Sequence, residues 1–442
     1  MERPRWCKVL TTIRNAWKIA DLRKKIIFTF VVLLLYRLGN VIPVPYVNTG
    51  NMVRWMSSPE MQNSILGLFN VMSGSAFSRA TLFALSIQPY INASIIIQLR
   101  TIAIPALERL SKEGGEEGKK KIEKITRYTT VGLGILMGFA YWMMLRNQDN
   151  GTLSLMYEDS ALAAITIILA FTAGSTLVMW LGDQISAFGI GNGISIILFA
   201  NIVSRLPQMV ISLGDDLIHD FAHSWYVAIV AIVGIVALIM FIVFITSAER
   251  RIPVTYAKRV VGRKQYGGQS TFLPIKVNMS GVLPIIFAQS VSTLPATIAA
   301  FTGKATDSNP WYKYVWSNTS VVYLVVYMIL IIAFSYFYST IQYNPVEISN
   351  NLRKNGGFIP GYRPGRPTSD FIKRVINKIT LFGAIYLGIV AILPILVGMI
   401  NTKFASMAIG GTSVIIVVGV ALETVQAIEA QMLMRHYKGF LE

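Results

Sequence analysis

The chain carries little charge for its length. Charged residues make up 14% of its 442 residues, and hydrophobic residues make up 53%. Soluble domains carry about 25% charged residues. Apolar runs recur along the chain, and no polar stretch is long enough to build a soluble domain. The composition therefore indicates a membrane protein.

Cysteine and histidine are also scarce. Cys7 is the one cysteine, so an internal disulfide is excluded, and so are zinc sites of the cysteine-rich kind. His219 and His223 stand four residues apart, and His436 is the only other histidine. We expect no metal site.

Catalytic motifs are missing too. The glycine-rich run 114–120 lacks the spacing of a phosphate loop, because Glu113 stands where the first glycine belongs and neither Ser nor Thr follows the lysines. Neither HExxH nor GxSxG occurs. We expect no enzymatic activity and no cofactor, and any driving energy must come from a partner.

Ten apolar runs approach the length of about 20 residues that crosses the hydrocarbon core. They lie near 26–43, 81–102, 128–145, 161–181, 192–211, 225–247, 275–301, 319–342, 375–400 and 410–433. Five spans per half force the halves into inverted topology. The predicted fold is an all-α integral membrane protein of ten transmembrane helices in two inverted five-helix halves.

Basic residues orient these spans. Of the 40 Lys and Arg residues, 32 fall in segments that lie on one side if both termini are cytoplasmic. The net charge of +18 is thereby assigned mainly to cytoplasmic loops. We predict an amphipathic arm at 1–25, an N-terminal half at 26–211, a C-terminal half at 212–433 and a cytoplasmic tail at 434–442. Two long basic loops, 249–274 and 343–374, project from the same side.

One apolar segment, 65–78, is too short to cross and is interrupted by Ser73-Gly74-Ser75. It precedes span 2, so we expect it on the external side, either at the surface or folded back into a cavity. Spans 2 and 7 are rich in Asn, Gln, Ser and Thr, which indicates helix–helix hydrogen bonds or a wettable seam. Pro284 and Pro295 are expected to kink span 7.

Several motifs occur together and in order. They are 85–99 (LSIQPYINASIIIQL), 188–199 (FGIGNGISIILF), 269–288 (QSTFLPIKVNMSGVLPIIFA), 358–365 (FIPGYRPG) and 410–416 (GGTSVII). With them, nearly the whole chain resembles the SecY family, the channel-forming subunits of the bacterial Sec translocase. The resemblance implies an hourglass channel between the two halves. It also implies SecE, SecG, the SecA motor, ribosomes, unfolded secretory and membrane polypeptides and membrane lipids as partners.

The resemblance also assigns roles to residues. An apolar pore ring falls on Ile87, Ile91, Ile194, Leu198, Ile286 and Ile416. A re-entrant plug helix falls on 65–78, with Leu66, Leu68, Phe69, Asn70, Met72, Ser73, Gly74 and Ser75. A lateral gate between spans 2 and 7 falls on Gln88, Asn92, Gln289, Thr293 and Leu294. The residues assigned to docking of the ribosome or the motor are Arg259, Arg263, Lys264 and Arg363.

The chain departs from the family at two positions. Ser86 stands where the family usually has glycine, and Gly74-Ser75 replaces a glycine pair. The predicted function is passive conduction of unfolded polypeptides with lateral release of membrane helices into lipid. Two alternatives remain open, an accessory translocase for a restricted substrate set and a secondary solute transporter. The long basic loops and the lack of a midplane charge cluster argue against the transporter.

Overall fold

The structure is a computed structural model. It describes residues 14–58, 61, 65–112, 114–147, 154–205, 207, 211, 221–256, 259–261, 264–266, 270–279, 281–301, 320–400 and 411–438. Part of the predicted arm (1–13), Arg263 and the end of the predicted tail (439–442) lie outside these ranges.

Helices make up most of the described chain. They are α1 (Ala20–Gly39), α2 (Thr49–Met56), α3 (Ile65–Met72), α4 (Gln88–Ala103), α5 (Pro105–Lys112), α6 (Gly115–Asn147), α7 (Ala161–Phe188), α8 (Gly193–Val203), α9 (Phe221–Thr246), α10 (Leu283–Phe301), α11 (Val321–Gln342), α12 (Pro345–Lys354), α13 (Arg366–Ile400) and α14 (Gly411–Lys438). Every predicted span overlaps one of these helices.

Five helices in the described part of the chain are long and apolar enough to cross a membrane. They are Gly115–Asn147, Ala161–Phe188, Val321–Lys354, Arg366–Leu393 and Ser413–Met432. Shorter apolar helices occupy Gly193–Val203, Ile232–Thr246 and Leu283–Pro295. The protein is therefore a multi-pass, mainly helical membrane protein, and the count of ten crossings is consistent with these positions.

Two predicted spans begin later than expected. Span 2 was predicted from residue 81, but 81–87 form a bridge and turns and α4 begins at Gln88. Span 7 was predicted from residue 275, but the chain is still a strand there and α10 begins at Leu283. Each helix has proline as its second residue, where the missing N–H needs no partner. Pro284 therefore starts a helix, and the predicted kink there is wrong. Pro295 lies inside α10.

Strands join the two basic loops. β1 (Glu249–Tyr256) pairs antiparallel with β4 (Ser270–Lys276) and, at its end, with β5 (Gly357–Phe358). A second hairpin pairs β2 (Arg259–Val261) with β3 (Lys264–Tyr266). Because β5 belongs to the loop 343–374, one sheet fixes both loops to each other.

The chain forms two compact units. The first contains Met1–Trp225, Thr293–Tyr323 and Val420–Glu442, and the second contains Tyr226–Ser292 and Leu324–Gly419. In the first unit, the ring of Tyr141 on α6 packs between two phenylalanines, with centroids 4.7 Å from Phe77 and 4.5 Å from Phe171. In the second, Ile252 and Ile275 of the sheet pack with Ile372 and Ile376 of α13 in one apolar core.

Large apolar side chains are exposed along the predicted spans. Phe30 is 65% exposed, Leu162 72% and Phe244 73%. A soluble monomer rarely exposes apolar surface on this scale. Lipid tails would cover these side chains, in agreement with the membrane assignment.

Candidate functional site

The short helix α3 lies inside the first unit. Leu66 and Met72, near its two ends, are each 5% exposed. Phe69 packs against Phe77, with ring centroids 6.1 Å apart. Helix α3 also contacts α8, which carries Ile194 and Leu198. The segment predicted as a plug is thus an inserted helix that contacts a helix of the predicted pore ring.

A compact series of turns follows α3. The Asn70 Oδ1 atom accepts a hydrogen bond from the backbone N–H of Ser78 at 3.0 Å, and Ser73 Oγ accepts one from the N–H of Phe77 at 3.0 Å. The Tyr141 hydroxyl donates to the Phe77 carbonyl at 2.8 Å. The first two bonds fix the shape of the turns, and the third holds them, at Phe77, against α6.

Left-handed backbone occurs at several residues of these turns. The angle φ is 65° at Gly74, 69° at Ser75, 45° at Ala80 and 49° at Ser86. Glycine adopts this region freely, whereas a residue with a Cβ is strained there. Ser75 and Ser86 are the two positions at which the resemblance leads us to expect glycine, and both lie where a side chain costs conformational energy.

The end of α3 is held by side-chain amides. Asn201 of α8 donates from Nδ2 to the Met72 carbonyl at 2.9 Å and to Ser86 Oγ at 3.2 Å. Gln88 donates from Nε2 to Met72 Sδ at 3.0 Å. Gln88 was predicted for the lateral gate; here it lies against the plug helix.

Two residues of α1 join this cluster. The hydroxyl of Tyr36 lies 3.3 Å from Ser86 Oγ, and Arg37 donates from a guanidinium nitrogen to the Ala200 carbonyl at 3.2 Å. Sequence reasoning missed Tyr36 and Asn201 as members of the site. Polar residues within apolar runs were the available signal, but nothing local in the sequence says which distant group each one meets.

Four of the predicted ring residues lie in the first unit. Ile87, Ile91 and Leu198 are buried, and Ile194 is half-buried. The side chains of Ile87 and Ile194 converge beside Gly182 of α7. Cδ1 of Ile87 lies 3.6 Å, and Cγ1 of Ile194 3.7 Å, from the position of a Cβ on that glycine. The structure therefore brings together one ring residue from each of two predicted spans.

The other two ring residues lie in the second unit. Ile286 is 3% exposed in the first turn of α10, and Ile416 is 2% exposed in α14. Their membership of a ring with the first-unit residues stays a prediction.

The predicted gate residues differ in exposure. Gln289 and Thr293 on α10 are buried, whereas Leu294 is 47% exposed. Asn92 on α4 is half-buried, and its Nδ2 lies 3.9 Å from Met137 Sδ on α6. The assignment of these residues to a lateral gate stays a prediction.

Arg363 lies exposed in a fixed turn between β5 and α13. Its carbonyl accepts a hydrogen bond from Thr368 Oγ1 at 2.8 Å, and the ring of Tyr362 stacks on Phe371 with centroids 4.2 Å apart. Ser349 of α12 donates to the Gly365 carbonyl at 2.9 Å. Arg259 and Lys264 lie on the hairpin β2–β3, and Arg263 lies outside the described residues.

Comparisons with known proteins agree with this architecture. The family model SecY matches residues 81–425. The chain is 41% identical to the protein translocase subunit SecY of Streptomyces scabiei over 439 residues, which cover 98% of this chain and 100% of that protein. It is also 41% identical to the SecY of Thermotoga maritima, with 97% of each chain covered.

Solved structures share the fold. A protein conducting channel superposes with a TM-score of 0.67 at 18% identity, covering 93% of this chain and 92% of that one. Sec61 in the canine ribosome–channel complex of the endoplasmic reticulum gives 0.63 at 16% identity, with the same coverage. Together, the full-length sequence identity and the shared fold show that the chain belongs to the SecY family of protein-conducting channel subunits of the protein translocase.

Proposed function

We propose that this channel subunit passes unfolded polypeptides across a bacterial cytoplasmic membrane and releases transmembrane segments sideways into lipid. Both termini are cytoplasmic in this proposal, because that orientation places most Lys and Arg residues on the side that retains them. The channel itself is passive, and a partner supplies the energy.

One observation supports a resting channel that is closed by a plug. An apolar helix too short to cross the membrane, α3, is buried in the first unit and contacts a helix with two ring residues. An isolated helix of this length is marginal in water, so its order depends on the surface that it contacts. A segment held only by docking is suited to displacement by a substrate, and we assign it as the plug.

The six apolar side chains named above form the proposed seal. Branched side chains at a constriction exclude water when the channel is empty, because they offer water no hydrogen-bond partner. The burial of Ile87, Ile91, Leu198, Ile286 and Ile416 supports apolar surroundings at these positions.

Spans 2 and 7 form the proposed lateral gate. Asn92 and Leu294 are the residues that we assign to its two edges. The polar residues of these helices, Gln88, Gln289 and Thr293 among them, tolerate the water that enters with a passing polypeptide.

The loops 249–274 and 343–374 form the proposed docking face for a ribosome or for the SecA motor, and SecE and SecG are the proposed partner subunits. The shared sheet supports a single face, because β1 pairs with β5 of the other loop. Arg363 stands exposed in a turn fixed by hydrogen bonds, so little loop entropy is lost when a partner binds it. Arg259, Arg263 and Lys264 add positive charge in the loop 249–274.

Deletion of residues 66–75 tests the plug. The assembled complex, with and without the deletion, would be reconstituted in planar bilayers and single-channel conductance recorded. We expect frequent openings of the deleted channel and a silent intact channel, with transport retained. A silent deletion variant with normal assembly would show that α3 is not a seal.

A further inference from the structure

We propose that Asn201 is a latch that holds the plug helix in its closed position and sets how often the channel opens. This proposal rests on the assignment of α3 as the plug. It adds a specific restraint on the plug, from a residue outside the predicted plug, ring and gate.

The geometry places the Asn201 side chain between two elements. Asn201 is 0% exposed, and its Nδ2 group donates both to the Met72 carbonyl and to Ser86 Oγ. Met72 is the last residue of α3, so its carbonyl has no acceptor role within that helix. The amide thus satisfies a carbonyl at the end of the plug helix from a neighbouring span.

The close fit around Gly74 brings the chain against the same side chain. A Cβ on Gly74 would lie 3.1 Å from Asn201 Oδ1 and 3.2 Å from a guanidinium nitrogen of Arg37. Gly74 also has a φ of 65°. A glycine at this position lets the backbone after the plug pass directly over Asn201.

Helix α3 packs on the same apolar core as the turns that follow it. Leu66 belongs to the core that also contains Phe77, Tyr141 and Phe171, and Phe69 packs against that core. A small cavity lined by Phe69, Phe77 and Tyr141, among others, leaves part of this contact unfilled. Fewer dispersion contacts mean weaker docking. The hydrogen bond from Asn201 to the Met72 carbonyl therefore adds a directional restraint where apolar packing is incomplete.

Ser86 makes the latch reversible. When α3 leaves, Asn201 Nδ2 loses the Met72 carbonyl but retains Ser86 Oγ, which Tyr36 orients from α1. A buried donor without any partner would carry the full desolvation penalty. Because one partner remains, the open state avoids this penalty, and the plug can leave without unfolding its binding site.

The latch is tested with Asn201→Leu, which keeps a similar volume and has no donor. Ser204→Ala is the matched control, because Ser204 Oγ donates to the Asn201 carbonyl at 2.6 Å and is not among the groups that bind the plug. Each variant would be made in the intact complex and in the complex that lacks residues 66–75. Open probability in planar bilayers is the measurement, with thermal unfolding as a check on folding.

We expect Asn201→Leu to raise the open probability of the intact channel by up to about tenfold, because the variant removes one hydrogen bond that the plug makes only in its closed position. Ser204→Ala should leave it unchanged. In the deletion background, Asn201→Leu should add nothing, since the group that it releases is absent. An equal increase with and without the plug would overturn the latch but leave the plug intact. No increase in the intact channel, while the deletion opens it, would also overturn the latch alone. A silent deletion channel would overturn the plug assignment and the latch with it.

Discussion

The hydroxyl of Ser86 lies 3.3 Å from the hydroxyl of Tyr36, while the backbone of Ser86 is left-handed, with φ at 49°. The side chain thus gains hydrogen bonds with Tyr36 and Asn201 at a position where any Cβ is strained. Left-handed backbone costs an ordinary residue roughly 1–2 kcal/mol. Serine at this position therefore carries a backbone strain that glycine would not carry. The strain and the hydrogen bonds of the hydroxyl can be separated by substitution.

Comparison of Ser86→Gly with Ser86→Ala separates them. Both variants lose the hydroxyl, but only alanine keeps the strained Cβ. We expect Ser86→Ala to unfold more easily than Ser86→Gly by about 1 kcal/mol, measured as the free energy of unfolding in detergent. Ser75→Gly is the companion variant, because Ser75 has a φ of 69°. It should stabilise the protein by up to about 1 kcal/mol. Alanine at 86 as stable as glycine would contradict the strain.

Reversal of the charge at Arg363 should stop transport that depends on a docked partner. Arg363→Glu changes an exposed side chain, so we expect normal insertion and normal thermal stability. Arg54→Glu, the same substitution at an exposed residue of α2 that lies outside both loops, is the control. The measurement is the transport of a secretory protein into membrane vesicles, driven by the SecA motor. Transport by Arg363→Glu at the level of the control would remove this residue from the docking face.

A disulfide across the proposed gate should lock it. Cysteines would replace Asn92 and Leu294 in a background in which Cys7 is serine, so that no other thiol is present. We expect oxidation to cross-link the pair and to block secretion, and reductant to restore it. Either single-cysteine variant should transport normally under oxidation. Full transport by a cross-linked channel would exclude a gate between these residues.

A polar side chain in the seal should make the closed channel leak. Ile416→Asn places an amide where water can bond to it, so the dry state loses its advantage. Ile415→Asn is the control, since it is buried equally well but points about 100° away around the helix. We expect resting ion leak, and export of proteins with defective signal sequences, to rise in Ile416→Asn. If the two variants leak alike, general destabilisation rather than the ring explains the effect.

The local pattern of the chain was sufficient for the positions of most membrane helices. The predicted span 161–181 falls within α7 (Ala161–Phe188), and the span 319–342 agrees with α11 (Val321–Gln342). Runs of apolar residues decide these elements, because a bilayer admits only backbone that satisfies its own hydrogen bonds. The basic loops could be read from composition, and the tight turn at Arg363 from the spacing of Gly and Pro. Both features depend on neighbouring residues alone.

Tertiary structure alone decided how the plug is held. Asn201 and Met72 are 129 residues apart, and Ser86 and Tyr36 are 50 apart. A polar residue in an apolar run shows that a partner is needed, but many distant groups could serve as that partner. Likewise, the strands β1 and β5 pair although residues 257–356 separate them in the sequence. Sequence periodicity records which face of a helix is apolar; which buried donor meets which acceptor is settled by packing of the folded chain.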